Sequence, residues 1–379
     1  MPVPGPVRPL VVRGGHVLDP GSGLDAPMDV LVDGPRIAAV DAPGAFDGTG
    51  HPVLDASGCH VGPGFIDLHV HVDTPATGLG VDVDAIGVGQ GVTTVADAGS
   101  TGLDTHPAFH RDIVKAATTR VVTWLNLAPA GLSQGLSELA GPLPADPGRV
   151  RALLDAHPGI RGIKVRMSRS VVGGQGIAPL LRARALADDV GLPVMAHVGQ
   201  APPALGEVAA HLRSGDVVTH ALHGKGDGLL TDGGRVAGRV LDARRRGVRF
   251  DVGHGSASFS FEVARRALAE GFRADTVSTD LHSENADGPV HSLAETMGKL
   301  LAVGYTLNEV VAAVTRAPAA VLGRPDLGVL RAGAAADLTV FRVEEAEHVF
   351  TDSTGALLRA TRIVRPVGAV RGGVHVPAL

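Results

Sequence analysis

Cysteine is almost missing from this chain of 379 residues; Cys59 is the only one. It cannot close an internal disulfide, so the fold needs no oxidising compartment. No activating pattern surrounds it, and it reads as a small buried hydrophobe rather than a nucleophile. Aromatic residues are scarce as well, at 3%, with one Trp and one Tyr. Val, Ala and Leu must therefore fill the interior, and a hydrophobic content of 44% supplies them. No apolar run approaches the ~20 residues of a membrane span. The opening Met1-Pro2-Val3-Pro4-Gly5-Pro6 has no basic region leading into an apolar stretch, so no signal peptide is expected. Charge of one sign is also lacking, since 34 Lys and Arg stand against 39 Asp and Glu. Without a basic face, nucleic acid is not an expected partner. The expectation is a cytoplasmic protein with a small-molecule substrate and neither membrane nor nucleic acid as partner. Arg244-Arg245-Arg246 ends a predicted helix and reads as a solvated last turn that complements the helix dipole.

What is present is a pattern of short apolar runs. Residues 8 to about 60 read as strands broken by turns, such as Leu10-Val11-Val12, Asp29-Val30-Leu31-Val32 and Arg36-Ile37-Ala38-Ala39-Val40. Asp33-Gly34 marks a hairpin between the last two. The C-terminal end is similar, with Asp337 to Phe341, Ala360 to Val364 and Gly368 to Val370. Neither end can build a core alone, so the economical solution is one small β-sandwich made from both, residues 1–60 plus 331–379. Between them, residues 61–330 alternate strand and helix. Strand candidates are Val61 to Val72, Thr93 to Ala98, Val121 to Ala128, Gly162 to Met167, Pro193 to Val198, Asp216 to Leu222, Val248 to Gly253 and Thr276 to Leu281. Helical patterns include Ile177 to Val190, Ala204 to Arg213, Val236 to Arg246 and Phe261 to Glu270. Eight strands with helices between them predict an α/β chain with a (β/α)8 TIM-type barrel. An open doubly wound sheet is the rival, but the glycines of Gly87 to Gly91 precede their strand instead of following one.

The chemistry gathers at strand ends. His69 and His71 are two apart on a strand, so both side chains face the same way. Lys164 follows Gly162-Ile163, and a lysine pointing into a barrel is costly unless its charge is cancelled or removed. Reaction of its amine with CO2 would give an anionic carbamate able to bridge two cations. His197, His220 and Asp280 are each the first strongly polar residue after an apolar strand, where barrel residues face the active site. Taken singly, any of them could be a hydrogen-bonded structural residue or, for Lys164, a surface lysine. Their recurrence at five strands points instead to a centre of two divalent metals that hydrolyses with metal-bound hydroxide. Arg166 shares the face of Lys164 and could hold a substrate carboxylate or pair with a loop acid. His223, His254, His282 and Asn285 lie at or beyond strand ends, as substrate contacts or as supports for ligands. His16, His51, His157 and His211 fall outside the pattern and read as surface or structural. His106, His110 and His291 sit near loops or helix starts with no clear ligand geometry.

Gly64-Phe65-Ile66-Asp67-Leu68-His69-Val70-His71 resembles the opening barrel strand of the amidohydrolase superfamily. Lys164, His197, His220 and Asp280 resemble its binuclear subtype with a carboxylated lysine, the layout of dihydroorotases and hydantoinases. Ser278-Thr279-Asp280-Leu281-His282, Asn285, Gly288-Pro289, Glu295-Thr296-Met297 and Phe250 to Gly255 together resemble the amidohydrolase/deacetylase branch. The resemblance covers nearly the whole chain. It implies His69 and His71 on a first metal, His197 and His220 on a second, Lys164 as a carbamate between them, and Asp280 completing the first site. Zinc is the default ion, with manganese, cobalt or iron as alternatives. The implied reaction is hydrolysis of an amide or ester, with Asp280 as the proton carrier and a small N-acyl amino acid or O-acetyl hydroxy acid as substrate. A cyclic amidase of the dihydroorotase or hydantoinase type is the second reading, and an inactive scaffold the third. Homo-oligomerisation fits this barrel family.

Overall fold

The computed structural model describes residues 8–141 and 146–379, so the expectation for Met1 to Pro6 lies outside the described residues. The opening runs form five strands: β1 (Leu10–Asp19), β2 (Leu24–Asp33), β3 (Arg36–Asp41), β4 (Val53–Asp55) and β5 (His60–Pro63). Seven buried strands follow: β6 (Phe65–Val70), β7 (Val92–Gly102), β8 (Arg120–Asn126), β9 (Ile160–Met167), β10 (Val194–Val198), β11 (Val217–Thr219) and β12 (Arg249–Phe250). They pair in chain order and in parallel, each to the next. The predicted eighth strand is present only as two parallel bridges, Asp251 with Thr276 and Val70 with Leu281. Those bridges join β12 back to β6 and close the ring. The chain ends in β13 (Leu338–Thr351), β14 (Leu357–Arg371) and β15 (Val374–Pro377).

Val61 to Val72 is not one strand. Its first part, β5, pairs with β1 and β13, and only β6 enters the barrel. The break falls at Gly64. A Cβ there would sit 2.2 Å from Thr93 Oγ1 and 2.9 Å from Asp337 Cβ, so only glycine lets the chain pass between the two sheets. Both ends of the chain share a single sheet in the order β15-β14-β13-β5-β1-β2-β3, with β4 alongside β1. Val12, Val17, Val30, Val32, Val61, Leu338 and Val340 form its apolar cluster.

The four predicted helices form at Ala178–Val190, Leu205–Ala210, Gly238–Arg245 and Phe261–Ala269. Others, among them Pro147–Ala156, Leu293–Val303, Leu307–Ala313 and Arg316–Val321, add to these, and Leu293–Val303 packs on β14. Arg244 departs from the expected solvated turn. Its guanidinium carbon lies 4.1 Å from the Phe272 ring centre and its Nη2 is 3.1 Å from Asp275. A cation over an aromatic face, tied to a carboxylate, packs the helix end instead of decorating it. Cys59 is buried, as expected. Among the described residues no helix is long and apolar enough to cross a membrane.

Candidate metal centre

Parallel strands carry their side chains to a common rim, and here the rim is polar. His69 lies in β6 with His71 just beyond it, Lys164 in β9 and His197 in β10. His220 follows β11 directly, and Asp280 lies in the closing segment. Asp280 Oδ1 is 3.2 Å from Nε2 of both His69 and His71, and its Oδ2 is 3.8 Å from His220 Nε2. Lys164 Nζ is 3.0 Å from His69 Nε2. The rings of His197 and His220 are 4.3 Å apart. All six residues expected to bind metal therefore gather at the rim in one chain of contacts, with His69, His220 and Asp280 at its middle. Two of them bend the backbone to get there: His220 has φ +68° and Asp280 φ +52°, a region L side chains seldom adopt. Room for the Lys164 stem comes from Gly99, where a Cβ would lie 2.8 Å from Lys164 Cγ.

The hydrogen bonds behind the rings determine which nitrogen faces the centre. His220 Nδ1 is 2.6 Å from the Gly253 carbonyl, which can only accept, so Nδ1 carries the proton and Nε2 a bare lone pair. His69 Nδ1 lies 2.9 Å from Thr219 Oγ1, whose own hydroxyl donates to Asp251 at 2.7 Å. Thr219 must then accept from His69, leaving His69 Nε2 bare as well. Asp251 also takes hydroxyl donations from Thr276 and Ser278, both at 2.6 Å. Asp67 accepts from Thr279 Oγ1 at 2.6 Å and from the backbone N–H of Thr279 and His69. His71 Nδ1 contacts Ser100 Oγ at 2.9 Å.

Burial sets the charge states. It pushes His69 and His197 well below the usual imidazole range and His220 down to about 3, so all three are neutral at pH 7. Lys164, wholly buried, is pushed down to about 7 by the same cause. Burial works against ionisation of Asp280, and its carboxyl nonetheless lies well below the usual range because of the charge and N–H donation that His69, His71 and His220 supply in their protonated forms; without that proton, the rings leave the carboxylate's charge for another cation to match. The result is an anion facing bare nitrogen lone pairs. His220 Nε2 is buried with no hydrogen-bond partner among the described residues. Two electron-rich groups at such distances call for a cation between them. Imidazoles and carboxylates are the donors that divalent zinc, manganese, cobalt and iron accept. His69, His220 and Asp280 offer atoms all within 4.8 Å of one another.

The residues expected to touch substrate have more varied surroundings. Arg166 Nη1 pairs with Glu138 at 3.0 Å, the loop-acid partner foreseen for it, though a guanidinium has donors beyond that one. His223 is buried in the loop after β11 with Nε2 unpartnered among the described residues. His254 Nε2 is 2.9 Å from Lys299 Nζ, and its Nδ1 is 3.0 Å from the Gly255 carbonyl. His282 stands at the rim, its ring centre 6.4 Å from that of His71. Asn285 donates to the Asp280 carbonyl at 2.8 Å and accepts from the His282 N–H at 2.9 Å, so it shapes the strand end and does not face the centre.

Lys225, Lys299, Glu138, Asp67, Asp251 and Thr219 escaped the sequence reading. Lys225 is half-buried and feels the charge of Asp280; its place between two glycines just after His223 was the available signal. A cleft of about 830 Å³ opens at the opposite end of the barrel, lined by Arg184, Asp216, Arg249 and Asp275. Those arginines are paired with these aspartates, and none of the bare lone pairs is there.

A closed parallel barrel with this rim defines a hydrolase of the TIM-barrel class. A family model described as the amidohydrolase family matches residues 61–358. A protein named deacetylase from Enterococcus faecalis is 38% identical over 371 residues, spanning 96% of this chain and 98% of that one. A crystal structure described as an adenine deaminase superposes with a TM-score of 0.91 at 36% identity, covering 97% of this chain and 99% of that one. Another, described as a dihydroorotase, gives 0.90 at 34% identity, with 98% of each chain covered. The chain belongs to the amidohydrolase family.

Proposed function

We propose that this protein removes an acyl group, acetyl in the first instance, from a small N-acyl amino acid or O-acetyl hydroxy acid. The reading places two divalent cations, zinc by default, on His69, His71, Lys164, His197, His220 and Asp280. Such ions lower the pKa of bound water and polarise a carbonyl oxygen. Asp280 is at once a ligand and the proton carrier: it takes the proton from the attacking water and hands it to the departing nitrogen or oxygen. Residues 61–330 carry this chemistry, and residues 1–60 with 331–379 brace it. The observation that carries the reading is the bare Nε2 of His220 facing Asp280, with a lysine whose hold on its proton burial has weakened beside them.

Lys164 is proposed to act as its carbamate. A neutral amine attacks CO2, one N–C bond forms, and one proton leaves. With burial holding the amine near pKa 7, a large neutral fraction is present at physiological pH. Labelling with carbon-13 bicarbonate should give a carbamate resonance in the wild-type protein and none in Lys164→Ala; identical spectra would remove the carbamate from the scheme.

The close relative named deacetylase favours the acyl reading, and the structure described as a dihydroorotase keeps a cyclic amidase as the second one. A panel of N-acetyl amino acids, acetylated hydroxy acids and cyclic imides, assayed with zinc-loaded protein, separates them. The acetylated acids should give the highest kcat/KM. Faster opening of a cyclic imide would transfer the assignment to the second reading.

A further inference from the structure

Three imidazoles meet at a second place, away from the barrel rim. His106 and His110 are four residues apart in the helical stretch after β7, so they share a face. His157 caps the helix Pro147–Ala156. Ring centres of His106 and His157 are 5.1 Å apart, of His110 and His157 4.5 Å, and of His106 and His110 6.2 Å. One nitrogen from each ring lies within 4.8 Å of the other two. His106 Nδ1 is 3.3 Å from Thr101 Oγ1 on β7, which leaves its Nε2 for the cluster. His157 Nδ1 is buried with no hydrogen-bond partner among the described residues. The helix widens into a π-turn over His110–Val114, a local irregularity that often accompanies a functional site.

Each neutral imidazole has one N–H and one lone pair, yet among the described residues no hydrogen bond joins the three rings to one another and no carboxylate stands among them. What satisfies three nitrogen lone pairs at once is a borderline divalent ion. We propose that His106, His110 and His157 form a second metal site, with zinc, nickel or cobalt as its class of ion and water in the fourth position. Tetrahedral donors at about 2.0–2.1 Å from zinc stand roughly 3.4 Å apart, so nitrogens within 4.8 Å of one another close by at most roughly 1.4 Å on binding. The ion would tie the helical stretch after β7 to the end of the helix before β9, across β8. Its role is to clamp two outer elements, separate from the reaction at the rim.

The test uses full-length protein stripped of metal, reloaded with excess zinc and desalted. Elemental analysis should find one more zinc per chain in wild type than in His110→Ala, and His157→Gln should match His110→Ala. His110 is partly exposed, so its truncation spares the core. Crystals of the zinc-loaded wild type should show an anomalous peak bonded to all three rings. This peak decides the matter even if a variant fails to fold. Equal zinc content in wild type and folded variants, or anomalous peaks confined to the barrel rim, would overturn the site.

Discussion

Asp280 has two oxygens, and in the proposed function they do two things, hold a cation beside His69 and His71 and move a proton. Asp280→Asn keeps size and shape while removing the charge and the basicity. General-base contributions of about 10²–10⁴ set the expected loss in kcat, with most of the metal content retained. Kinetics and elemental analysis on the same sample check it, and a variant that kept both metal and rate would free Asp280 of the role. Thr219 works at one remove. Thr219→Val should release His69 Nδ1 and cost about 10- to 100-fold in metal affinity or activity, read as a raised free-zinc midpoint. The six rim residues were legible in the sequence because each interrupts an apolar run. Thr219, Asp251 and Asp67 were not, because their roles come from neighbours in space. His106 and His110 were set aside as lacking ligand geometry and His157 as surface or structural, since 47 residues (157 − 110) separate the last two along the chain.

Among the elements, the helix Leu293–Val303 carries the largest surprise. Lys299, which the sequence reading passed over, is fully buried and donates to His254 and to the Pro289 carbonyl. Burial pushes it down to about 8. In the unfolded chain its pKa is near 10.4, so between these values the unfolded state holds the extra proton. The penalty of the buried charge is therefore fully present below pH 8 and is relieved as pH rises toward 10. Stability of wild type relative to Lys299→Met should rise over that window by up to about 1.4 kcal/mol per pH unit. Urea unfolding at several pH values checks this, and a flat difference contradicts it. Strand order was legible from the alternation of apolar runs and helical patterns. The thinness of the eighth strand was not: a turn to positive φ at Asp280 interrupts it between the bridges at Thr276 and Leu281, and nothing in Val277-Ser278-Thr279 announces that.

For the molecule as a whole, the proposed metal centre joins elements from β6 to the closing segment, so ions bound there would stabilise the folded barrel by mass action. A ligand present at 1,000 times its Kd contributes about 4 kcal/mol per site. Chelator treatment should lower Tm by several degrees, and added zinc should restore it; calorimetry that shows no shift would mean that the rim holds no ion tightly. The shared sheet of the two termini was foreseen because neither end had enough strands for a core. Its detail, with β5 leaving the barrel strand at Gly64, depends on a crossing that only the packed structure displays.

That crossing has a consequence for synthesis. β5 is complete at Pro63, but its partner β13 begins only at Leu338, 275 residues later (338 − 63). At ~5–20 residues per second, a ribosome needs roughly 14–55 s to deliver it. For that interval the nascent amino-terminal segment has an open hydrogen-bonding edge, a template on which other chains can pair. Crowded, rapid expression should therefore lose this protein to inclusion bodies at doses that leave the purified, finished molecule untroubled, and slower translation should recover it.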